Sequence, residues 1–289
     1  MKIKPLFSEF KQMAQQGNLI PVYHEFLADT ETPVSAYLKL RDGTYSYLLE
    51  SADGGKRWGR YSFIGCKPYL SVVSRDCDVE IWQEDARKIL KEAGNPLDIL
   101  RELSAKFRPV TVKDLPPFQG GLVGYFNYDL VRKWEHLPGI APADHKLPEA
   151  VFTACRRLII FDHFTHMVKV VAFAHLESEK DLEQTYRRAC REVTETMEQL
   201  HAPLPASLKE EPLLLSDLRS NFPREDFEDA VRKAKEYIIA GDVIQVVLSQ
   251  KFSGEISGED FSLYRNLRSV NPSPYMFYLN FGDIKLIGA

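Results

Sequence analysis

The chain has 289 residues, 44% of them hydrophobic and 27% charged, with a net charge of -4. This is an ordinary globular composition, long enough for a substantial core or for two modest domains, and its slightly acidic balance argues against a nucleic-acid partner. The four cysteines (Cys66, Cys77, Cys155, Cys190) show no ligand-type spacing and read as reduced, so no structural metal is expected. No signal core precedes Gly17, and no apolar run approaches the roughly 18 residues of a membrane helix. A cytoplasmic protein without membrane contact is expected.

In chain order, Phe7, Phe10 and Met13 recur at helical steps, with Gly17 placed to end that helix in the left-handed conformation. Tyr37–Leu40 and Tyr45–Leu49 flank Arg41-Asp42-Gly43, which predicts a hairpin. Asp53-Gly54-Gly55 is a further turn, and 60–64 and 70–73 read as strands. Asn95-Pro96 opens a helix carrying Leu100, Leu103 and Phe107 on its buried face, with Pro109 after its end. The segments 156–161 and 167–173 form a strand pair around Asp162-His163. Ser178 caps a long helix whose buried face is Leu182, Tyr186, Ala189, Val193, Met197 and Leu200.

Pro203 and Pro205, followed by Lys209-Glu210-Glu211-Pro212, mark a linker. The division predicted is therefore 1–201, a linker over 202–219, and a second domain over 220–289. A helix starts at Phe222-Pro223-Arg224-Glu225 and stops at Gly241. Val243–Leu248, apolar and β-branched apart from Gln245, predicts a buried strand. Residues 275–279 and 284–287 form a hairpin around Asn280-Phe281-Gly282-Asp283. The chain stops at Gly288-Ala289 directly after an apolar strand, where a frayed polar end is usual, which predicts a truncated polypeptide. Helices and strands do not alternate regularly, so the fold class is α+β.

Several blocks, in order along the whole chain, resemble anthranilate synthase component I: Leu48-Leu49-Glu50-Ser51, Trp58 to Gly65, Phe118 to Tyr125 with Tyr128-Asp129, Tyr237 to Gln250, and Asn271-Pro272-Ser273-Pro274-Tyr275-Met276-Phe277. The resemblance implies large antiparallel sheets with flanking helices. It implies conversion of chorismate and ammonia to anthranilate and pyruvate with Mg²⁺. A glutamine amidotransferase subunit would supply the ammonia, and L-tryptophan would inhibit allosterically. The family's metal ligands lie beyond residue 289, so none is assigned here, and Glu225, Glu228 and Glu236 read as a solvated helix face.

By the same resemblance, Leu49, Glu50, Ser51, Asn271, Pro274, Tyr275, Met276 and Phe277 form the tryptophan site. Glu50 takes the ammonium, Ser51 supplies polar contacts, and Pro274, Tyr275 and Met276 form the indole slot. The site joins stretches on both sides of the linker, so a ligand would favour one arrangement of the two. Gln245 is either a hydrogen-bonded core amide or a contact near the nucleophile. Water-adding relatives carry Lys there, and a Gln suits ammonia, which needs no base. Met276 favours this family over the aminodeoxychorismate synthase relative. A tryptophan-sensing fragment without catalysis is the alternative. Gly120-Gly121 and Gly124 lack the Lys-Ser/Thr of a phosphate loop and read as strand positions with close backbone approach. His163 and His166 read as turn residues rather than a metal pair.

Overall fold

The computed structural model describes all residues except 42, 53–58, 76–77, 84–85, 92–93, 139–146, 177–181 and 206–213. The sequence-read turn at 53–55, the cap at Ser178 and residues 206–213 of the linker therefore lie outside the described residues. The chain divides into two compact units, one of residues 1–208 with 264–289 and the other of residues 209–263. Residues 264–289 thus pack with the first part of the chain rather than with 209–263.

In the larger unit, strands β1 (Ile3–Lys4) and β2 (Leu19–Leu27) flank helix α1 (Phe7–Met13). Helix α2 (Pro33–Leu40) precedes β3 (Ser46–Glu50), β4 (Tyr61–Arg75), β5 (Asp78–Gln83) and β6 (Ala86–Leu90). Helix α3 (Pro96–Ala105), β7 (Leu122–Phe126), a short 3-10 helix at Tyr128–Lys133, β8 (Ala150–Asp162), β9 (Met167–His175) and α4 (Leu182–His201) follow. Beyond the smaller unit come the later turns of a helix at Asp260–Val270, then strands Met276–Asn280 and Lys285–Gly288. The fold is α+β: the strands form one antiparallel sheet of 11, with helices packed on it.

Two long strands organise that sheet. β4 and β8 pair along nearly their whole length, from Tyr61 opposite Asp162 to Ser74 opposite Ala150. Their register shifts between Pro68 and Leu70, next to Lys67 at φ 58°. A bulge of this kind bends the strand and increases its twist. The outer partners change across it: β3 and β9 flank the Tyr61 end, and β5 and β7 flank the other. The tight side-chain positions fit this pairing. A Cβ on Gly124 would stand 1.9 Å from the Val151 carbonyl oxygen, so Gly124 is a strand position of close backbone approach. Gly120 and Gly121 precede the strand at φ 94° and 129°, and a Cβ on Gly120 would meet the Phe173 ring at 2.6 Å.

Several expectations for the larger unit are corrected: Gly120 and Gly121 lie before β7 rather than in it, and Phe107 lies past the end of α3. Tyr37–Leu40 is helix, not the first arm of a hairpin. Thr32 Oγ1 accepts from the Ser35 amide, the Ser35 hydroxyl accepts from the Thr32 amide, and Pro33 stands in the first turn. This reciprocal cap fixes a helix start that outweighs the turn signal downstream. Gly17 does not cap α1, which ends on a right-handed Ala14. Its glycine is required because the Arg108 carbonyl passes 2.2 Å from where a Cβ would sit. The segments 60–64 and 70–73 are one strand through the bulge.

The smaller unit holds two short pairs, β10 (Leu214–Leu215) with β13 (Ile256–Ser257) and β11 (Arg219–Ser220) with β12 (Phe252–Ser253). Between them runs α5 (Arg224–Ala240), ended by Gly241 at φ 82°. Val243–Leu248 is not a buried strand: it has no ladder partner among the described residues, and Ile244 is 98% exposed. A β-branched run becomes a strand only where a neighbouring edge satisfies its backbone. Gln245 is accordingly exposed, not a core amide.

Gly124→Ala is expected to lower the unfolding free energy by about 1–3 kcal/mol through overpacking at the Val151 carbonyl. Urea titration of the variant checks this, and an unchanged midpoint would contradict the close approach.

Candidate functional site

The site begins with a strand pairing. Helix α6 (Asp260–Val270) leads into β14 (Met276–Asn280), which lies antiparallel to β3 and continues to β15 (Lys285–Gly288). Met276 stands opposite Glu50, Phe277 opposite Leu49, and the Ala52 amide donates to the Ser273 carbonyl at 3.0 Å. Two stretches more than 200 residues apart, |i−j| being 214 between Glu50 and Tyr264, thus meet in one sheet.

At the end of β3 the Glu50 side chain is 1% exposed. A buried carboxylate needs charge-assisted partners, and α6 delivers both of them. Tyr264 Oη donates to Glu50 Oε2 at 2.6 Å and Arg268 Nε donates to the same oxygen at 2.9 Å. Burial, followed by the Glu50 charge and its hydrogen bond, pushes the Tyr264 phenol well above its ordinary pKa, so Tyr264 stays a donor at any working pH.

Beside this cluster lies a cavity of about 700 Å³. Glu50, Ser51 and Arg268 form one part of its wall, Arg60, Asp162 and His163 another, and Phe161, Phe164 and Pro33 supply apolar surface. The Ser51 hydroxyl is buried and has no hydrogen-bond partner among the described residues. Arg60 grips Asp162, Nε at 3.1 and 3.2 Å and Nη2 at 2.7 Å. Burial acts to raise the Asp162 pKa, but the Arg60 bonds and the amides of Phe164 and Thr165 outweigh it, and the carboxyl titrates below its ordinary value. Asp162 thereby also caps the turn at 163–166, which places both histidines as turn residues, with His166 at φ 56°. His163 Nε2 hydrogen-bonds the Ser62 hydroxyl at 2.7 Å, and that hydroxyl accepts from the Ser51 amide at 3.3 Å. Burial lowers the His163 pKa; Arg268 and His166 add to this, and Glu50 and Asp162 oppose it.

Of the sequence-predicted site residues, Glu50 and Ser51 line the cavity. Leu49, Met276 and Phe277 occupy the adjoining strand pair, with Met276 buried. Asn271, Pro274 and Tyr275 lie in the approach to β14 without lining the cavity, and Tyr275 is 72% exposed. Gln245 belongs to the other unit. The residues that sequence reading missed are Tyr264 and Arg268. Their signal was present: Asp260, Tyr264 and Arg268 fall at four-residue steps on one helix, but nothing local pointed to a distant acid. Among the described residues, no group of three His, Cys, Asp or Glu side chains could hold a metal ion. No helix among them is long and apolar enough to cross a membrane.

The described geometry has clear counterparts. The family of chorismate binding enzymes matches residues 44–289. Anthranilate synthase component 1 of a Synechocystis species is 42% identical over 99% of this chain, which spans 58% of that relative's length. The crystal structure of anthranilate synthase component I from Streptococcus pneumoniae aligns with a TM-score of 0.61 and 26% identity, over 91% of this chain and 56% of that one. The menaquinone-specific isochorismate synthase of Escherichia coli aligns with a TM-score of 0.51 at 12% identity, over 97% of this chain and 53% of that one, a likeness of fold.

Because burial depresses the His163 pKa, the folded chain resists a proton that the unfolded chain binds at about pH 6.5. Its contribution to stability is complete above that value and is lost as pH falls from there towards the folded-state pKa. Unfolding free energies measured across pH 5–7, an interval around the reference value of about 6.5, are expected to rise with pH, and His163→Gln to flatten the rise. An identical slope in the variant would place the effect elsewhere.

Proposed function

This chain belongs to the chorismate binding enzyme family, and on that premise we propose that it forms part of an anthranilate synthase large subunit. Such a subunit turns chorismate and ammonia into anthranilate, pyruvate and water, in the cytoplasm and within tryptophan biosynthesis, with ammonia delivered from glutamine by an amidotransferase subunit. The observation that carries the reading is the 42% identity to component 1 over 99% of this chain, which spans 58% of that relative. The reaction replaces a ring hydroxyl by an amine and then expels the enolpyruvyl group as pyruvate. It needs a cation beside the chorismate carboxylates and a proton for each leaving group. Mg²⁺ is the cation that the family implies. The described residues do not fit a site for it.

Gln245 is the residue of this chain proposed to lie near the nucleophile. A neutral amide there takes no proton from ammonia, which attacks without a base, whereas a lysine would suit activation of water. Gln245→Lys is expected to reduce ammonia-dependent anthranilate formation by roughly 10-fold or more, on the usual scale of a misplaced acid–base group. Equal turnover with an unchanged melting temperature would remove Gln245 from the reaction.

L-tryptophan is proposed as the inhibitor, held at the cavity beside Glu50 and Ser51. The ammonium goes to Glu50, the indole against the apolar wall, and Leu49, Met276, Phe277, Asn271, Pro274 and Tyr275 frame the site from the strand pair and its approach. Met276, buried opposite Glu50, favours tryptophan synthesis over the aminodeoxychorismate reaction. A second reading is favoured by one observation: the whole cavity is built by residues of a single compact unit, so tryptophan sensing does not require catalysis.

Incubating the polypeptide that carries this chain with chorismate, ammonium and Mg²⁺ should yield fluorescent anthranilate. An aminodeoxychorismate product would transfer the chain to that relative. Tryptophan binding without any product would favour the sensing role. In calorimetry, Glu50→Gln is expected to weaken tryptophan binding by roughly 10- to 100-fold, the scale of a lost charged hydrogen bond. Equal affinities would eliminate Glu50 as the ammonium partner.

A further inference from the structure

We infer that Arg268 is the carboxylate anchor of the amino-acid site, and hence the residue that makes it select amino acids over the corresponding amines. The inference rests on the reading that L-tryptophan occupies the cavity beside Glu50. An α-amino acid brings two opposite charges a few ångströms apart, and a site that meets only the ammonium would bind an amine lacking the carboxylate equally well.

The cavity wall offers two arginines, and they are spent differently. Arg60 commits Nε and Nη2 to Asp162, and its guanidinium lies over the Tyr61 ring at 4.9 Å. Arg268 commits only Nε, to Glu50 Oε2. Its two Nη groups make no hydrogen bond among the described residues, and its side chain is 41% exposed on the cavity wall. The guanidinium fork is planar and fits a carboxylate through paired N–H donors, a geometry that a lysine ammonium does not offer.

A second observation points to the same ligand group. The Ser51 hydroxyl, one residue from Glu50 and on the same wall, is buried with no partner among the described residues. Buried hydroxyls nearly always find one. A ligand carboxylate that bridges the Arg268 fork and the Ser51 hydroxyl satisfies both. The ammonium then meets the Glu50 carboxylate, whose Oε2 already carries the Tyr264 and Arg268 bonds. Arg268 thus has two roles: Nε holds Glu50 in place, and the Nη pair reads the carboxylate.

The experiment is calorimetric titration of the polypeptide carrying this chain with L-tryptophan and with tryptamine, for the native protein, Arg268→Gln and Arg268→Lys. The native protein is expected to prefer tryptophan. Arg268→Gln is expected to lose roughly 10- to 100-fold of tryptophan affinity, the scale of a charged bidentate contact, with tryptamine changing less than about threefold. Arg268→Lys, which keeps the charge and loses the fork, should fall between them and guards against a failure of Arg268→Gln to fold. Equal losses for tryptophan and tryptamine would overturn the proposal, leaving Arg268 as a support for Glu50 alone. So would unchanged tryptophan affinity in Arg268→Gln, or a native protein that binds both ligands alike. A native protein that binds neither ligand would overturn the tryptophan reading itself, and the anchor with it.

Discussion

Everything in the larger unit that bears on function depends on one buried negative charge. Removing a carboxylate from water costs several kcal/mol in real proteins, and Glu50 is almost wholly removed. Its attraction to a single cation would not offset that cost without further hydrogen bonds. Tyr264 and Arg268 both donate to one oxygen, so α6 must approach β3 closely and in one rotation about its axis. A helix that satisfied only one of the two would leave Glu50 undercompensated. The charge therefore specifies how residues 264–289 dock on a sheet built from the first half of the chain.

Aromatic packing surrounds that charge and makes the specification cooperative. Tyr278 lies edge-on to Tyr37 at 5.5 Å and to Tyr264 at 6.0 Å. The Tyr37 hydroxyl is 2.9 Å from the Ser46 hydroxyl at the start of β3. Helices α2 and α6 are thus tied through one ring on β14, and each of these tyrosines is buried. Edge-to-face pairs add about 0.5–1.5 kcal/mol beyond the area they bury, so the cluster contributes on the same scale as the ionic contacts. The strand pair β3–β14 is consequently held from both of its ends, at Glu50 by charge and at Ser46 by the tyrosine cluster.

The sequence disclosed elements better than it disclosed their meeting. The helix opened by the Asn95 cap and Pro96, and the one whose apolar period runs from Leu182 to Leu200, were legible because local chemistry alone decides them. The β8–β9 and β14–β15 hairpins were legible for the same reason. At helix α2, Asp-Gly beside aromatics is a strong local hairpin signal, but the Thr32–Ser35 cap upstream decides the conformation. Val243–Leu248 differs from its expectation for another reason: its composition is that of a strand, but a strand is a relation to a neighbour, and none is supplied among the described residues. The motif Leu-Leu-Glu-Ser gave half of the site. Its other half, Tyr264 and Arg268, looked like ordinary helix surface, because burial of a charge partner 218 residues away leaves no local trace.

The charges around the cavity also bear on which ligand it suits. Among the described residues the wall carries Asp29, Glu31, Glu50 and Asp162 against Arg60 and Arg268; Glu50 is matched by Arg268, Asp162 by Arg60 and Glu31 by Lys39, so the wall is acidic rather than basic. A dianion such as chorismate, brought against it, would face those four carboxylates, and the arginines could serve it only by abandoning partners whose burial or turn geometry requires them. A zwitterion needs no such exchange. Its ammonium adds to an acid that is already anchored, and its carboxylate takes the donors that Arg268 has left over, so each charge enters beside its opposite and the desolvation cost is offset where it arises. On this ground the cavity suits a zwitterionic amino acid better than a dianion.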